Sequence, residues 1–380
     1  MPTREWHNLN TPCLILDRDI LQRNIDRMAD RARSLGVALR PHVKTPKSLP
    51  VAEMLRDAGA QGFTVSTLQE AEYLFAAGFD DLFYAVPADA MKLRRAAPVL
   101  RAGKRLSLLV DTLAAAKAIG DVARDEAVIA SVWVEIDVDH YRTGIRMDDP
   151  DFGHIVHLLS THPNLKLAGI MSYGGASYGC PTPDATANLT ERHRLALLQA
   201  RTRVCSMGFA SPLLSFGSTP AVLHAHSLEG IDEARCGIYA FQDLFQAGIG
   251  ACTIADIALS TLASVISHSQ TLNRFTLDAG ALALSKDRST QGHPFDAGFG
   301  LVCDAATGAP IGDLQIVTVS QELGLVGSPS GAAIDLRDFP IGRRLRILPN
   351  HADMTAAAYE EYHVLTKEAP FEIWRRTNRW

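Results

Sequence analysis

Between residues 17 and 245, short apolar runs alternate with amphipathic helical stretches, and this alternation restricts the fold more tightly than any other feature of the chain. The runs lie at 37–40, 62–65, 81–86, 106–110, 130–137, 167–173, 213–217 and 233–237. The stretches between them read as helices; in 17–35, for example, Ile20, Leu21, Ile25, Met28 and Ala32 recur at helical spacing on one face, and Gly36 follows as a cap. Repeated strand–helix units bury a parallel sheet, and eight of them predict a closed (βα)8 TIM barrel, an α/β fold. The open doubly wound alternative calls for G-x-G-x-x-G after its first strand, and no such turn follows 37–40.

After about residue 245 the texture changes. Segments 257–266, 274–277, 314–319 and 345–348 are β-rich and separated by turn residues, which predicts a mostly β C-terminal domain. The run Cys13-Leu14-Ile15-Leu16 has no place in the barrel and is expected to pair with that domain. A chain of 380 residues suits this division, with a barrel at 17–245 and a β domain of 1–16 plus 246–380.

A formal net charge of −5 with no Lys/Arg-rich block leaves no electrostatic footprint for nucleic acid or an anionic membrane, so a small-molecule ligand is expected. No stretch reaches about 18 unbroken apolar residues, and the start Met1-Pro2-Thr3-Arg4-Glu5-Trp6 lacks a leader pattern. A cytoplasmic location is the expectation. The six cysteines lack C-x-x-C spacing and read mostly as buried thiols rather than zinc ligands or a disulfide framework.

Reactive groups of βα barrels sit at the carboxyl ends of strands, and here the first strand runs into Arg40-Pro41-His42-Val43-Lys44-Thr45-Pro46-Lys47. If that segment stays extended, His42 and Lys44 face the same side, setting an amine beside a proton carrier. A desolvated lysine there can form a Schiff base with a carbonyl cofactor; solvated loop charges are the competing reading for Lys44 and Lys47. Phe216-Gly217-Ser218-Thr219-Pro220 and Arg235-Cys236-Gly237-Ile238-Tyr239 have the form of paired phosphate turns after strands seven and eight, although the first is equally an ordinary cap-and-turn signal. Tyr173 and Tyr178 leave the sixth strand among glycines, where packing is the alternative to a ligand role. Late in the chain, His351 and Asp353 have His-x-Asp spacing, which on an extended segment turns imidazole and carboxylate to one side to hold a divalent ion; a surface turn is the competing reading.

Taken in order along nearly the whole chain, these segments resemble the fold-type III pyridoxal-phosphate (PLP) enzymes, specifically the D-threonine aldolase and D-serine dehydratase group. Residues 41–47 are similar to the family's Pro-His-x-Lys-Thr-x-Lys, 64–72 to its second strand and helix, and Glu135-Ile136-Asp137 with Arg142-Thr143-Gly144 to the segment after strand five. The resemblance implies an alanine racemase-like barrel, Lys44 as the Schiff-base residue, and Arg142 beside the cofactor's phenolic oxygen; pairing with Asp137 or Asp139 is the structural alternative for Arg142. It further implies Tyr178 near the pyridine nitrogen, Tyr173 nearer the cofactor face, and Gly217, Ser218, Thr219, Gly237 and Tyr239 around the phosphate. His351 and Asp353 become ligands of Mn, Mg or Zn. The segment 283–288 also resembles the family and sets Ser285, Lys286 and Arg288 where they meet a substrate carboxylate. A homodimer is implied as well.

A metal beside a 3-hydroxyl either lowers its pKa for retro-aldol cleavage or makes it a better leaving group, and both reactions use 3-hydroxy amino acids, of D configuration by resemblance. Lys44, His42 and His351 are the expected catalytic residues. The family places aspartate two residues after the metal histidine in its aldolase branch and cysteine in its dehydratase branch. Asp353 therefore puts retro-aldol cleavage to glycine and an aldehyde first. The alternative is dehydration of D-serine or D-threo-3-hydroxyaspartate to a 2-oxo acid and ammonia, and a metal-independent racemase is the second alternative.

Overall fold

The computed structural model describes residues 8–140, 142–366 and 371–380. They fall into two compact units: one holds the chain up to Ile25 together with Ile238–Arg376, the other Asp26–Gly237 with Thr377–Trp380. The first strand, β1 (Cys13–Asp17), belongs to the former.

The second unit is a parallel eight-stranded sheet of β2 (Ala38–Leu39), β3 (Phe63–Val65), β4 (Asp81–Pro87), β5 (Arg105–Val110), β6 (Ala130–Glu135), β7 (Leu165–Ser172), β8 (Leu213–Phe216) and β9 (Glu233–Ala234). Each apolar run of the sequence supplies one of them. Pairing runs β2-β9-β8-β7-β6-β5-β4-β3, and the two end strands meet through a parallel bridge between His42 and Thr64. Val43 N donates to Thr64 O at 2.9 Å and Thr64 N to Pro41 O at 2.8 Å, so the closure lies just before Lys44. The runs are mostly apolar because helices and barrel interior bury both faces. Helices begin at side-chain caps: Thr67, Asp89, Thr112 and Thr182 each accept from the backbone N–H three residues on, which stops the strand-end loop at a defined residue.

The barrel interior is not wholly apolar. Arg40 pairs with Glu233 and Asp81, each at 2.7 Å, and Ser215 Oγ bonds Glu233 at 2.8 Å. Arg235 Nε donates to Ser215 Oγ at 2.6 Å and its Nη2 to Ser172 O at 3.0 Å. Its burial depresses the guanidinium pKa, opposed by Glu233 and Glu135. Buried charges of this kind persist only when paired and hydrogen-bonded, which this network achieves.

The first unit is a nine-stranded sheet, with β1 joined by β10 (Leu259–Ser269), β11 (Arg274–Leu277), β12 (Leu301–Asp304), β13 (Pro310–Val319), β14 (Gly324–Gly327), β15 (Arg344–Leu348), β16 (Glu361–Leu365) and β17 (Glu372–Arg375). As expected for the N-terminal run, β1 pairs here, antiparallel to β10 and parallel to β16. Phe275, Leu277, Ile316, Val326 and Ile347 form a fully buried core, with Phe275 stacked on Phe339 at 4.5 Å. No helix among the described residues is long and apolar enough to cross a membrane. The cysteines are all free: Cys13, Cys236 and Cys303 are buried, whereas Cys180 and Cys252 are half-buried and Cys205 exposed.

Candidate functional site

Two clusters, one in each unit, hold the candidate residues. In the barrel, the first strand does not stay extended past His42: residues 43–46 form a turn closed by Lys47 N donating to Val43 O at 2.9 Å. Strand alternation therefore does not explain the proximity of His42 and Lys44. The turn brings the Lys44 backbone N–H to 3.4 Å from His42 Nδ1, while His42 Nε2 lies 3.2 Å from Ser66 Oγ. Lys47 is not a solvated charge either; it pairs at 2.9 Å with the buried Glu70, which also accepts from Ser66 N at 2.9 Å. Lys47 takes φ +45, an uncommon backbone for a residue other than glycine, and Thr377 N holds its carbonyl at 2.8 Å. The turn bearing Lys44 is thus fixed on both sides while Lys44 itself stays half-buried.

Gly237 backs this turn. A Cβ there would lie 2.6 Å from His42 O, so only glycine lets β9 end against His42. Tyr239, grouped with it in the sequence, is buried in the other unit, because the division falls between Gly237 and Ile238. Gly217 takes φ +143 with its missing Cβ 3.0 Å from Arg235 N. Ser218 caps the short helix Thr219–His224 and bonds Ser177 Oγ at 2.6 Å, joining the loops after β7 and β8. Thr219 Oγ1 is buried without a hydrogen-bond partner among the described residues. An orphaned hydroxyl at a glycine turn suits a phosphate oxygen, so the chain's own residues fit PLP here.

Arg142 does not pair with Asp137 or Asp139 among the described residues; its guanidinium lies 4.3 Å from the Tyr173 ring centre. Asp139 is instead taken by His193 Nε2, whose Nδ1 bonds Ser172 Oγ at 2.7 Å. Burial depresses the His193 pKa, opposed by Asp139. Thr143 Oγ1 donates to the buried Glu135 at 2.8 Å, and burial raises that carboxyl despite the bond and the nearby Arg235. Glu135, Asp139, Arg142, Tyr173 and His193 border a cavity of about 20 Å³, room for one water. Tyr178 sits half-buried on a single 3-10 turn, Gly175–Gly179.

In the β unit, β15 ends at Leu348 and His351 opens the helix Ala352–Ala356. His351 and Asp353 therefore meet at a strand-to-helix corner, not along an extended segment, with Nε2 3.9 Å from Oδ2. Asp287 Oδ2 holds the other ring nitrogen, Nδ1, at 2.7 Å. Burial works against charge on His351, yet Asp287, Asp353 and Asp243 raise its pKa above the ordinary value. Asp243 is buried, its carboxyl pushed up to about 6, and it pins the corner by accepting from Ala352 N at 3.0 Å and Gln246 N at 2.8 Å. Among the described residues no three His, Cys, Asp or Glu side chains gather as a complete metal cage. Two ligands whose imidazole is braced by an outer carboxylate suit a divalent ion that keeps water or substrate in its remaining positions. Asp243 as a brace was not legible locally, since it stands far from His351 in sequence. Asp287 lies in the quoted segment 283–288, but nothing in the sequence linked it to His351.

Comparison with known proteins agrees with both halves. Residues 16–244 match the alanine racemase N-terminal domain and 258–365 the putative serine dehydratase domain. The D-threo-3-hydroxyaspartate dehydratase of Delftia sp. (strain HT23) is 42% identical over 98% of both chains, and its solved structure superposes with a TM-score of 0.96 over 99% of this chain and 100% of that one. The D-serine dehydratase of Dictyostelium discoideum is 31% identical over 95% of each, and the 3-hydroxy-D-aspartate aldolase of Paracoccus denitrificans (strain Pd 1222) 27% over 95% of this chain and 90% of that one. Fold and these likenesses define a PLP-dependent lyase of fold type III. The chain belongs to the D-serine dehydratase and D-threonine aldolase family, in the company of the D-threo-3-hydroxyaspartate dehydratase. The higher identity to dehydratases favours dehydration over the retro-aldol cleavage that Asp353 alone put first.

Proposed function

We propose that this enzyme dehydrates D-3-hydroxy amino acids to a 2-oxo acid and ammonia. The observation that carries the reading is the end-to-end 42% identity to a dehydratase, which spans both the lysine turn and the β domain. Bound PLP supplies an electron sink for the charge released at Cα. Lys44 holds the cofactor and takes the Cα proton on Nζ; its turn, braced by Glu70–Lys47 and Gly237, keeps that amine in register. His42 is the nearby proton carrier, oriented by Ser66 and the Lys44 N–H. Thr219, Gly217 and Ser218 receive the phosphate, and Arg142, with Tyr173 and Tyr178, borders the ring. His351 and Asp353 would hold a divalent ion, which would supply Lewis acidity toward the 3-hydroxyl. The Cα–H and Cβ–O bonds break, water leaves, and the resulting enamine hydrolyses with release of ammonia. A cytoplasmic homodimer goes with this reading by family resemblance.

Asp353 favours a second reading, retro-aldol cleavage, because a carboxylate suits Mn²⁺ or Mg²⁺ and a 3-hydroxyl to be deprotonated. Product analysis separates the two. Mn²⁺-supplemented enzyme given D-threo-3-hydroxyaspartate, D-serine and D-threonine should yield ammonia and 2-oxo acid; glycine with an aldehyde would overturn the dehydratase assignment.

A further inference from the structure

We infer that His193 is a positioning residue for the cofactor: it holds Asp139 and thereby fixes the loop that carries Arg142. This rests on the cofactor placement proposed above, not on which lyase reaction follows. His193 stands on the helix Pro183–Ser206, which packs against β7 and β8. Leu189, Leu197 and Val204 continue its buried face, so packing alone would call for an apolar side chain at 193. The imidazole instead meets the ends of three strands. Its Nε2 bonds Asp139 in the loop after β6, its Nδ1 lies 2.7 Å from Oγ of Ser172, the last residue of β7, and its ring centre lies 5.5 Å from that of Phe216, the last residue of β8. The residues given to the cofactor follow those three points in the chain: Arg142, Tyr173, and Gly217 to Thr219.

Both ring nitrogens are used in a defined sense. An ionised Asp139 only accepts, so Nε2 carries the proton and Nδ1 accepts from the Ser172 hydroxyl. Arg192 comes only to 3.9 Å from Asp139 and its side chain is 65% exposed, which leaves His193 as the bond that holds the carboxylate. Arg142 is exposed and has no hydrogen bond among the described residues; its guanidinium lies 4.3 Å from the Tyr173 ring centre. Its place therefore depends on the loop. That loop is tied on one side by Asp139 to His193, and on the other by Thr143 Oγ1 to Glu135 at 2.8 Å and Gly144 N to Asp111 at 3.3 Å. Without His193 the first tie is gone and a buried carboxylate loses its hydrogen bond, a cost the loop relieves by swinging Asp139 toward water and carrying Arg142 off Tyr173.

Titration of the full chain with PLP, read by visible absorbance, tests this without turnover. His193→Phe keeps a ring against Phe216 and removes both hydrogen bonds; the dissociation constant for PLP should rise about tenfold or more. His193→Gln keeps an N–H for Asp139 and should hold the constant within about threefold of wild type. Made on an Arg142→Ala background, His193→Phe should add less than about twofold, because the residue it positions is already gone. An unchanged constant in His193→Phe, or the same added loss with and without Arg142, would overturn the inference. Asp139→Ala breaks the same tie without stranding a carboxylate, so it gives the same cycle and the same refutation if His193→Phe does not fold. A wild type that bound no PLP would overturn both this inference and the cofactor placement, whereas glycine and an aldehyde as products would sink the dehydratase reading alone, with the titration still deciding the role of His193.

Discussion

Replacing Asp287 by asparagine isolates the brace on His351 from the proposed metal ligands, His351 and Asp353. The bond from His351 Nδ1 to Asp287 Oδ2 is 2.7 Å, with side chains 33% and 27% exposed. Hydrogen bonds to charged groups are worth about 1.5–3 kcal/mol, and partial exposure places this one near the lower end. About 1.5 kcal/mol is roughly tenfold in affinity, in line with the usual loss when an outer carboxylate is removed from a metal-bound histidine. Asparagine keeps the volume, so fold and cofactor binding should be retained. Equilibrium dialysis with Mn²⁺ or Zn²⁺ should show the dissociation constant rising about tenfold or more, with cofactor absorbance unchanged. An affinity within about twofold of wild type would refute the role given to Asp287 and weaken the placement of the metal on His351.

Lys44→Ala should abolish both the visible absorbance of bound cofactor and all turnover; retention of either contradicts its assignment. Gly237→Ala forces a Cβ to 2.6 Å from His42 O, so thermal unfolding should show a loss of about 1–3 kcal/mol together with weaker PLP binding, and an unaltered Tm would mean the turn yields freely. His193 has its pKa depressed below the ordinary 6.5 by burial, opposed by Asp139. Its stabilising contribution is therefore complete above 6.5 and is lost as the pH falls from there toward the depressed value. His193→Gln should flatten that part of the urea-unfolding profile between about pH 7.5 and 5.5, whereas an identical slope would assign it to other histidines.

The barrel strands were readable because strands buried on both faces leave mostly apolar runs, and the helix between residues 18 and 35 because its spacing is helical. The short strands β12, β14, β16 and β17 escaped notice: four or five residues long, with glycine at both ends of β14, they carry too little periodicity to register. Lys44 was placed by its position at a strand end, but its neighbourhood to His42 depends on a turn that strand alternation misdescribes. The same holds at His351 and Asp353, where a corner does what an extended segment was expected to do. Arg235 and Asp287 act through partners distant in sequence, and no local pattern announces such bonds.

The closure at His42 and Thr64 bears on how the protein fails when heated or diluted with denaturant. A seam held by one bridge and three backbone bonds is the join with the fewest cooperative neighbours, so amide exchange should reach it ahead of the central strands. Lys44 follows two residues after that bridge. Opening of the seam would unseat Lys44, the proposed cofactor lysine, while most of the sheet remained paired, and the enzyme would then shed its prosthetic group before losing its fold.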